Sequence, residues 1–204
     1  MSDRSDIRIC FIGDSFVNGT GDPECLGWPG RVCVAAGYQG YNVTYYNLGI
    51  RRETSADIRD RWHQEVERRL PESCDRRVVF SFGVNDTTLE NGKPRVEFRE
   101  SLANARQILT QAQRSLPVLM VGPAPVGDAE QNQRIQALSV RLAELCQELG
   151  VPFLEILGPL QASVVWIAEA IANDGAHPRA AGYEELAGLV RGWSAWRNWF
   201  PARG

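Results

Sequence analysis

Residues 7–15 read IRICFIGDS, and this stretch decides the fold class. The apolar, β-branched run before the glycine predicts a strand buried on both faces, as strands of a parallel sheet are. Four more short apolar runs are each followed directly by glycine, and they lie at residues 43–48, 77–82, 118–121 and 151–157. Together the five runs predict a five-stranded parallel sheet.

Amphipathic stretches separate these runs. Residues 55–70 place apolar side chains four positions apart, which is typical of a helix with one buried stripe; these side chains are Ile58, Trp62, Val66 and Leu70. Further helices are predicted at residues 94–115, 130–149, 161–172 and 180–197, with Gly150 as the C-cap of the third of the five. Alternating strands and helices predict an α/β fold, a doubly wound sheet with helices on both faces, and one domain over residues 1–204.

The composition excludes several classes of protein. The net charge is -3, with 22 Lys and Arg against 25 Asp and Glu, so no basic surface for nucleic acid is expected. No apolar stretch is long enough to span a membrane and the N-terminus lacks the pattern of a signal peptide, so we expect a cytoplasmic protein. The five cysteines form no C-x-x-C pair and His is scarce, so reduced thiols and no metal site are expected.

Polar residues follow the predicted strands, where sites collect in an open parallel sheet. Gly13-Asp14-Ser15 follows the first strand, Gly49 the second, and Gly83-Val84-Asn85-Asp86 the third, while Asp174-Gly175-Ala176-His177-Pro178 follows a later helix. A serine hydroxyl needs a base to remove its proton, and histidine is that base when a carboxylate fixes its tautomer. We therefore expect Ser15 as nucleophile, His177 as base and Asp174 as its partner.

An oxyanion that develops on the substrate needs hydrogen-bond donors aimed at it. The candidates are the N–H groups of Ser15 and Gly49 and the side-chain amide of Asn85. Asp14 and Asp86 are interpreted as structural hydrogen-bonding residues of their turns. The only other histidine, His63, lies in a charged helix and is expected at the surface.

These four blocks, in this order, resemble the motifs of the SGNH (GDSL-type) hydrolase family of lipases and esterases, and they span residues 13–178. The resemblance implies a flavodoxin-like three-layer fold, no cofactor, and hydrolysis of an ester or thioester. It also implies that Ser15, Gly49, Asn85 and His177 are the four named residues, with Asp174 completing the triad. The second block departs from the family pattern Gly-x-x-Gly-x-Thr, because Arg52 replaces its second glycine. Arg51 and Arg52 therefore suggest a substrate that carries an anionic group.

Three other segments have open interpretations. The Gly- and Pro-rich loop Asn18–Gly30, with Trp28 and Cys25, is expected to cover one side of the pocket. Val164, Val165 and Trp166 either line an acyl pocket or belong to the core. Trp193, Trp196 and Phe200 share one helical face, which either docks on the sheet or forms a homodimer contact.

The sequence supports two functions from different classes. The first is a serine esterase that hydrolyses a small-molecule ester, as a carboxylesterase, a lysophospholipase- or thioesterase-like enzyme, or a carbohydrate O-deacetylase. The alternative is a non-catalytic domain that binds a small molecule or a phosphate at the Gly13–Ser15 loop. A binding pocket does not need a Ser/His/Asp set with amide donors, which favours the esterase.

Overall fold

A computed structural model describes residues 6–201 of the chain. The strands are β1 (Ile7–Gly13), β2 (Val43–Gly49), β3 (Asp75–Ser81), β4 (Leu89–Glu90), β5 (Lys93–Pro94), β6 (Val118–Val121) and β7 (Phe153–Leu154). Five of them form one parallel sheet in the order β2-β1-β3-β6-β7, and β4 and β5 form a separate antiparallel pair. The chain belongs to the three-layer α/β class that the sequence predicts.

Nine α-helices lie within the described residues. They are α1 (Ser15–Asn18), α2 (Gly27–Tyr38), α3 (Ser55–Glu67), α4 (Phe98–Ala112), α5 (Ala129–Leu149), α6 (Leu157–Gln161), α7 (Val164–Asn173), α8 (Ala180–Gly192) and α9 (Ser194–Trp199). Gly150 caps α5 in the left-handed conformation, as predicted.

The alternation of β1 divides the core between the two faces of the sheet. Ile9 and Phe11 pack into a cluster that includes side chains of α2, α8 and α9, whereas Cys10 and Ile12 pack into one that includes side chains of α3, α4 and α5. Every side chain of this strand from residue 9 to residue 12 is fully buried, which explains why its sequence is a continuous apolar run rather than an alternating one.

The register of the sheet brings three strand ends to one edge. Gly13 lies opposite Gly49 of β2 and opposite Ser81 of β3. The chain turns to one side of β1 to form β2 and to the other side to form β3, so the order of strands reverses at β1. Residues that follow β1, β2 and β3 therefore start level with one another at this switch point.

Helix α2 was not predicted, because its first residues, Gly27-Trp28-Pro29-Gly30, are poor helix formers. Pro29 is tolerated because the first turn of a helix has no acceptors for its N–H groups. Trp28 is 1% exposed and packs edge-on against Phe11, with ring centroids 5.3 Å apart. The prediction of a covering loop is therefore wrong for this tryptophan, since tertiary packing overrides local propensity here.

The bounds of the C-terminal helices also differ from the prediction. The predicted helix at residues 180–197 is two helices, since Trp193 adopts an extended backbone between α8 and α9. Trp196 and Phe200 are buried in the core, so this face docks on the protein itself. The last strand, predicted over residues 151–157, is paired only at Phe153 and Leu154, because α6 begins at Leu157.

Candidate active site

Ser15 is the first residue of α1 and is separated from the end of β1 by Asp14 alone. Asp14 is the N-cap of this helix, and its Oδ1 accepts a hydrogen bond from the Phe16 N–H at 2.9 Å. The helix is only one turn long and ends at Gly19, whose φ of 82° is left-handed. This tight turn holds Ser15 near the carboxyl end of β1, with 5% of the residue's surface exposed.

Asp174 and His177 lie in the loop between α7 and α8. Asp174 Oδ1 accepts hydrogen bonds from the N–H groups of Ala176 at 3.0 Å and His177 at 2.8 Å, and Oδ2 lies 2.8 Å from His177 Nδ1. Although partial burial opposes it, these hydrogen bonds lower the pKa of Asp174. An ionised carboxylate only accepts hydrogen bonds, so Nδ1 of His177 carries its proton toward Asp174.

The other ring nitrogen of His177 faces the serine. His177 Nε2 lies 2.6 Å from Ser15 Oγ, within hydrogen-bonding distance. With Nδ1 protonated, Nε2 is the acceptor of the Ser15 hydroxyl proton. The Phe16 ring packs against the imidazole with centroids 4.8 Å apart, which supports its orientation. The structure thus brings Ser15, Asp174 and His177 together in the arrangement that the sequence predicts.

Asn85 starts a short 3-10 turn after β3 and lines the same cleft as Ser15. Its Nδ2 donates to the Glu53 carbonyl at 2.9 Å, which turns the amide group toward the segment after β2. An amide nitrogen carries two hydrogens, and this bond uses one of them. Asn85 therefore keeps a second N–H for a ligand.

The Gly49 N–H was expected to be a free donor for an oxyanion. In the structure it already donates to Asn47 Oδ1 at 3.1 Å. A Cβ atom at this position would lie 2.1 Å from the Asn18 N, so the backbone requires glycine for close approach. Gly49 is also not among the residues that line the cleft around Ser15. The structure accounts for this glycine by packing.

Two buried carboxylates lie behind the site. Asp14 is 1% exposed, and burial raises its pKa to about 7, against the opposing hydrogen bond from Phe16 N–H and with a further contribution from nearby Asp86. Asp86 Oδ1 accepts the Ser55 N–H at 2.7 Å, and burial raises its pKa as well. Both residues bind backbone, as interpreted, but the partner of Asp86 lies 31 positions away and not in its own turn.

The cleft around Ser15 has a volume of about 290 Å³, and Arg51 and Arg52 line its mouth. Arg52 has a φ of 69°, so an arginine adopts a left-handed backbone at the position of the second glycine in the family pattern. This conformation costs a non-glycine residue about 1 kcal/mol. Arg52 also pairs with Glu90, with Nη2 3.2 Å from Oε1, whereas Arg51 has no such partner within residues 6–201.

Several residues singled out from the sequence lie outside this cleft. Trp166 is fully buried in the core, Val164 and Val165 are exposed on α7, and none of the three lines the cleft. Cys25 and His63 are both exposed, and Cys25 does not line the cleft. Within the described ranges, no group of three or more His, Cys, Asp or Glu side chains could hold a metal ion. None of the helices in residues 6–201 has the length and the apolar character of a membrane-spanning segment.

Gln131, near the start of α5, is a cleft residue that the sequence did not reveal. Its Nε2 donates to the Val84 carbonyl at 3.1 Å and to Thr88 Oγ1 at 3.0 Å, next to Asn85. Asp128, the N-cap of the same helix, also lines the cleft. The helix start was the only local signal, and it does not indicate that α5 begins beside the site.

Known proteins are similar to this chain at the level of family and of fold. A model of the GDSL-like Lipase/Acylhydrolase family matches residues 11–185. No curated protein matches at a significant level. Several solved structures do match. One is Axe2, an acetylxylan esterase from Geobacillus stearothermophilus, which is 19% identical to this chain with a TM-score of 0.76; the match covers 96% of this chain and 98% of that chain.

Two further structures have similar scores. A lipase/acylhydrolase from Enterococcus faecalis is 25% identical with a TM-score of 0.68, over 90% of this chain and 92% of that one. LAE5, an alpha/beta hydrolase enzyme from the metagenome of Lake Arreo, Spain, is 17% identical with a TM-score of 0.72, over 91% and 93%. The likeness to the structures below 25% identity concerns the fold.

Proposed function

Because the chain belongs to the GDSL-like lipase/acylhydrolase family, and is thus a serine hydrolase that acts on ester bonds, we propose that it cleaves small acyl esters through an acyl-Ser15 intermediate. The observation that carries this proposal is the 2.6 Å distance between Ser15 Oγ and His177 Nε2. A nucleophile within hydrogen-bonding distance of its base, which is itself oriented by Asp174, is the arrangement that covalent catalysis requires. We also propose that residues 1–204 act as one hydrolase domain.

The first half of the reaction transfers the acyl group to the enzyme. Ser15 Oγ attacks the carbonyl carbon while its proton moves to His177 Nε2, and the carbonyl oxygen becomes an oxyanion. Asp174 stabilises the imidazolium that forms. The C–O bond to the leaving alcohol then breaks, and the alcohol takes the proton from Nε2.

The second half returns the enzyme to its starting state. His177 removes a proton from water as the water oxygen attacks the acyl-Ser15 carbonyl. The tetrahedral intermediate collapses, the carboxylic acid leaves, and Ser15 Oγ regains its proton. We propose that the Asn85 amide and the Ser15 N–H stabilise both oxyanions. Ser15 N–H is suited to this because the first N–H groups of a helix have no acceptor within it.

Of the three oxyanion donors expected from the sequence, Gly49 is the least suited. Its N–H could serve an oxyanion only after releasing Asn47 Oδ1, which it binds at 3.1 Å. We keep Gly49 in the proposed site for the close approach that it permits between β2 and the turn after Ser15, and assign the donor role to the other two groups.

The size of the cleft supports a short acyl group. Its volume of about 290 Å³ is at the lower limit of ligand pockets, which hold roughly 300–1,000 Å³. Among the substrates expected from the sequence, a short-chain carboxylic ester or an acetylated carbohydrate fits this volume better than a long-chain lysophospholipid. Acetylxylan, the substrate class of Axe2, is therefore one substrate to assay.

The test combines activity with covalent labelling. Chromogenic esters from acetyl to decanoyl are assayed with the native protein and with Ser15→Ala, and a fluorophosphonate is used to label the nucleophile. We expect hydrolysis that declines with chain length and labelling that Ser15→Ala abolishes. Ser194→Ala, which alters an exposed serine on α9, is the matched control. Full activity in Ser15→Ala would contradict the proposal, and a binding domain would show neither hydrolysis nor labelling.

A further inference from the structure

Arg61 lies on α3, and its side chain reaches back to the strand ends that carry the site. Arg61 Nη2 donates to the Leu48 carbonyl at 2.7 Å and to the Gly13 carbonyl at 3.3 Å. Its Nε and Nη2 each lie 2.6 Å from Glu53 Oε2. The two side chains are only 17% and 15% exposed, so this ion pair is largely shielded from water.

Each acceptor of this guanidinium either precedes a proposed site residue in the chain or binds one. Gly13 precedes Asp14 and Ser15, and Leu48 precedes Gly49. Glu53 accepts the Asn85 Nδ2 hydrogen bond through its own backbone carbonyl, at 2.9 Å. Arg61 thus connects the end of β1, the end of β2 and, through Glu53, the amide that is proposed to bind the oxyanion.

We propose that Arg61 is a positioning residue that sets the distance between the Ser15 nucleophile and the Asn85 amide. This inference rests on the proposed function and adds a residue to it. A guanidinium is planar, with donors in a rigid fork, so the acceptors that it binds are held in a defined relative geometry. The carbonyl groups of Gly13 and Leu48 end two adjacent strands, and one shared cation reduces the repulsion between their dipoles.

The proposal concerns the transition state more than the bound substrate. Arg61 contacts neither Ser15 Oγ nor His177, and it does not line the cleft. Its loss should therefore leave substrate binding almost unchanged while displacing the nucleophile or the oxyanion donor. A misplacement of about 1 Å from a mutation distant from the reacting atoms can lower the rate about 10²-fold.

Arg61→Ala, Arg61→Lys and Glu53→Gln test the proposal in the full-length protein. Arg69→Ala is the matched control, because Arg69 lies just beyond the far end of α3 and its guanidinium binds Glu65 of the same helix. Measured for each variant are kcat and KM on a short-chain ester, the rate of fluorophosphonate labelling, and the unfolding midpoint. Guanidinium at a sub-denaturing concentration is then added to each variant.

We expect Arg61→Ala to lower kcat about 10²-fold with KM within about twofold, and to slow Ser15 labelling in parallel. Guanidinium should restore part of the kcat of Arg61→Ala and not raise that of Arg69→Ala. Arg61→Lys should fall between the native protein and Arg61→Ala, because an ammonium cannot reproduce the fork. Glu53→Gln should lose less activity than Arg61→Ala, because it keeps the backbone carbonyl that binds Asn85.

The opposing outcomes are distinct. A folded Arg61→Ala variant with native kcat, or one that guanidinium does not rescue, would overturn the positioning role while the esterase proposal stands. If Arg61→Ala does not fold, a folded Arg61→Lys variant with native kcat overturns it instead. A native protein that neither hydrolyses esters nor reacts with the fluorophosphonate would overturn the proposed function, and this role with it.

Discussion

His177 Nε2 and Ser15 Oγ lie 2.6 Å apart, although 162 positions separate the two residues in the chain. The loop that carries His177 is tied to the rest of the fold by the Gly127 N–H, which donates to the Gly175 carbonyl at 2.7 Å. Asn173, the last residue of α7, donates from its Nδ2 to the His177 carbonyl at 3.0 Å. The proposed nucleophile and base are thus held in contact by the fold before a substrate binds.

Replacement of Asp174 by Asn should disable the base without removing it. An asparagine amide offers a donor to Nδ1, so His177 would place its proton on Nε2 and could not accept the Ser15 proton. We expect kcat to fall by about 10³-fold or more, with KM little changed. Steady-state kinetics on a short-chain ester measures this, and Asp60→Asn, at an exposed carboxylate on α3, is the control. A loss below about tenfold would contradict the assigned tautomer.

Asn85→Ala should weaken the binding of the oxyanion. Loss of one oxyanion donor typically lowers kcat about 10²–10³-fold, and KM is expected to change far less because the charge develops only in the transition state. The same assay measures both constants, with the exposed Asn198→Ala as control. A raised KM for a neutral ester with kcat unchanged would instead indicate that Asn85 binds the substrate equally in its ground state and in the transition state.

Arg51 should select anionic esters more strongly than Arg52 does. Both line the mouth of the cleft, but the charge of Arg52 is partly compensated by Glu90. We expect Arg51→Ala to lower kcat/KM about fivefold for an ester with a carboxylate and to leave a neutral ester of the same length unchanged, which corresponds to ~1 kcal/mol for an exposed pair. Arg52→Ala is the comparison variant. Equal effects of Arg51→Ala on both esters would exclude selection by charge.

The buried carboxyl group of Asp14 should make the free energy of unfolding decrease as the pH rises. Burial raises its pKa to about 7 from 3.8, so between these values the folded protein keeps a proton that the unfolded chain releases. The free energy of unfolding therefore decreases across this range and is constant above it, as far as this group is concerned. The upper limit is about 4 kcal/mol, at roughly 1.4 kcal/mol for each pKa unit between the two states.

Asp14→Asn removes this dependence and keeps an oxygen that can accept the Phe16 N–H. Urea unfolding at a series of pH values should show that the free energy of unfolding of the variant increases relative to that of the native protein from about pH 4 to 7. Asp57→Asn is the control of opposite sign, because hydrogen bonds from the backbone and hydroxyl of Thr54, against partial desolvation, lower the pKa of Asp57. A difference between Asp14→Asn and the native protein that is independent of pH would show that Asp14 ionises normally.

Much of the fold could be predicted because the central strands β1, β3 and β6 are buried on both faces. Such strands have continuous apolar sequences, and the glycines at strand ends, such as Gly13 and Gly49, lie where another part of the backbone approaches closely. The helix α2 could not be predicted, because its start contains glycine and proline and forms against Phe11. The break between α8 and α9, where Trp193 adopts an extended backbone, likewise has no periodic signal in the sequence.

The sequence alone determined which residues are candidates for the site, namely Ser15, Asn85, Asp174 and His177. They could be identified because a serine nucleophile needs a base, a carboxylate and amide donors whatever the fold. Only the tertiary structure decided which groups are free to act. It bound the Gly49 N–H to Asn47, kept Arg52 in a left-handed backbone, and connected two strand ends through Arg61. These contacts join residues from separate elements, and their geometry depends on how strands that are far apart in the chain pair with one another.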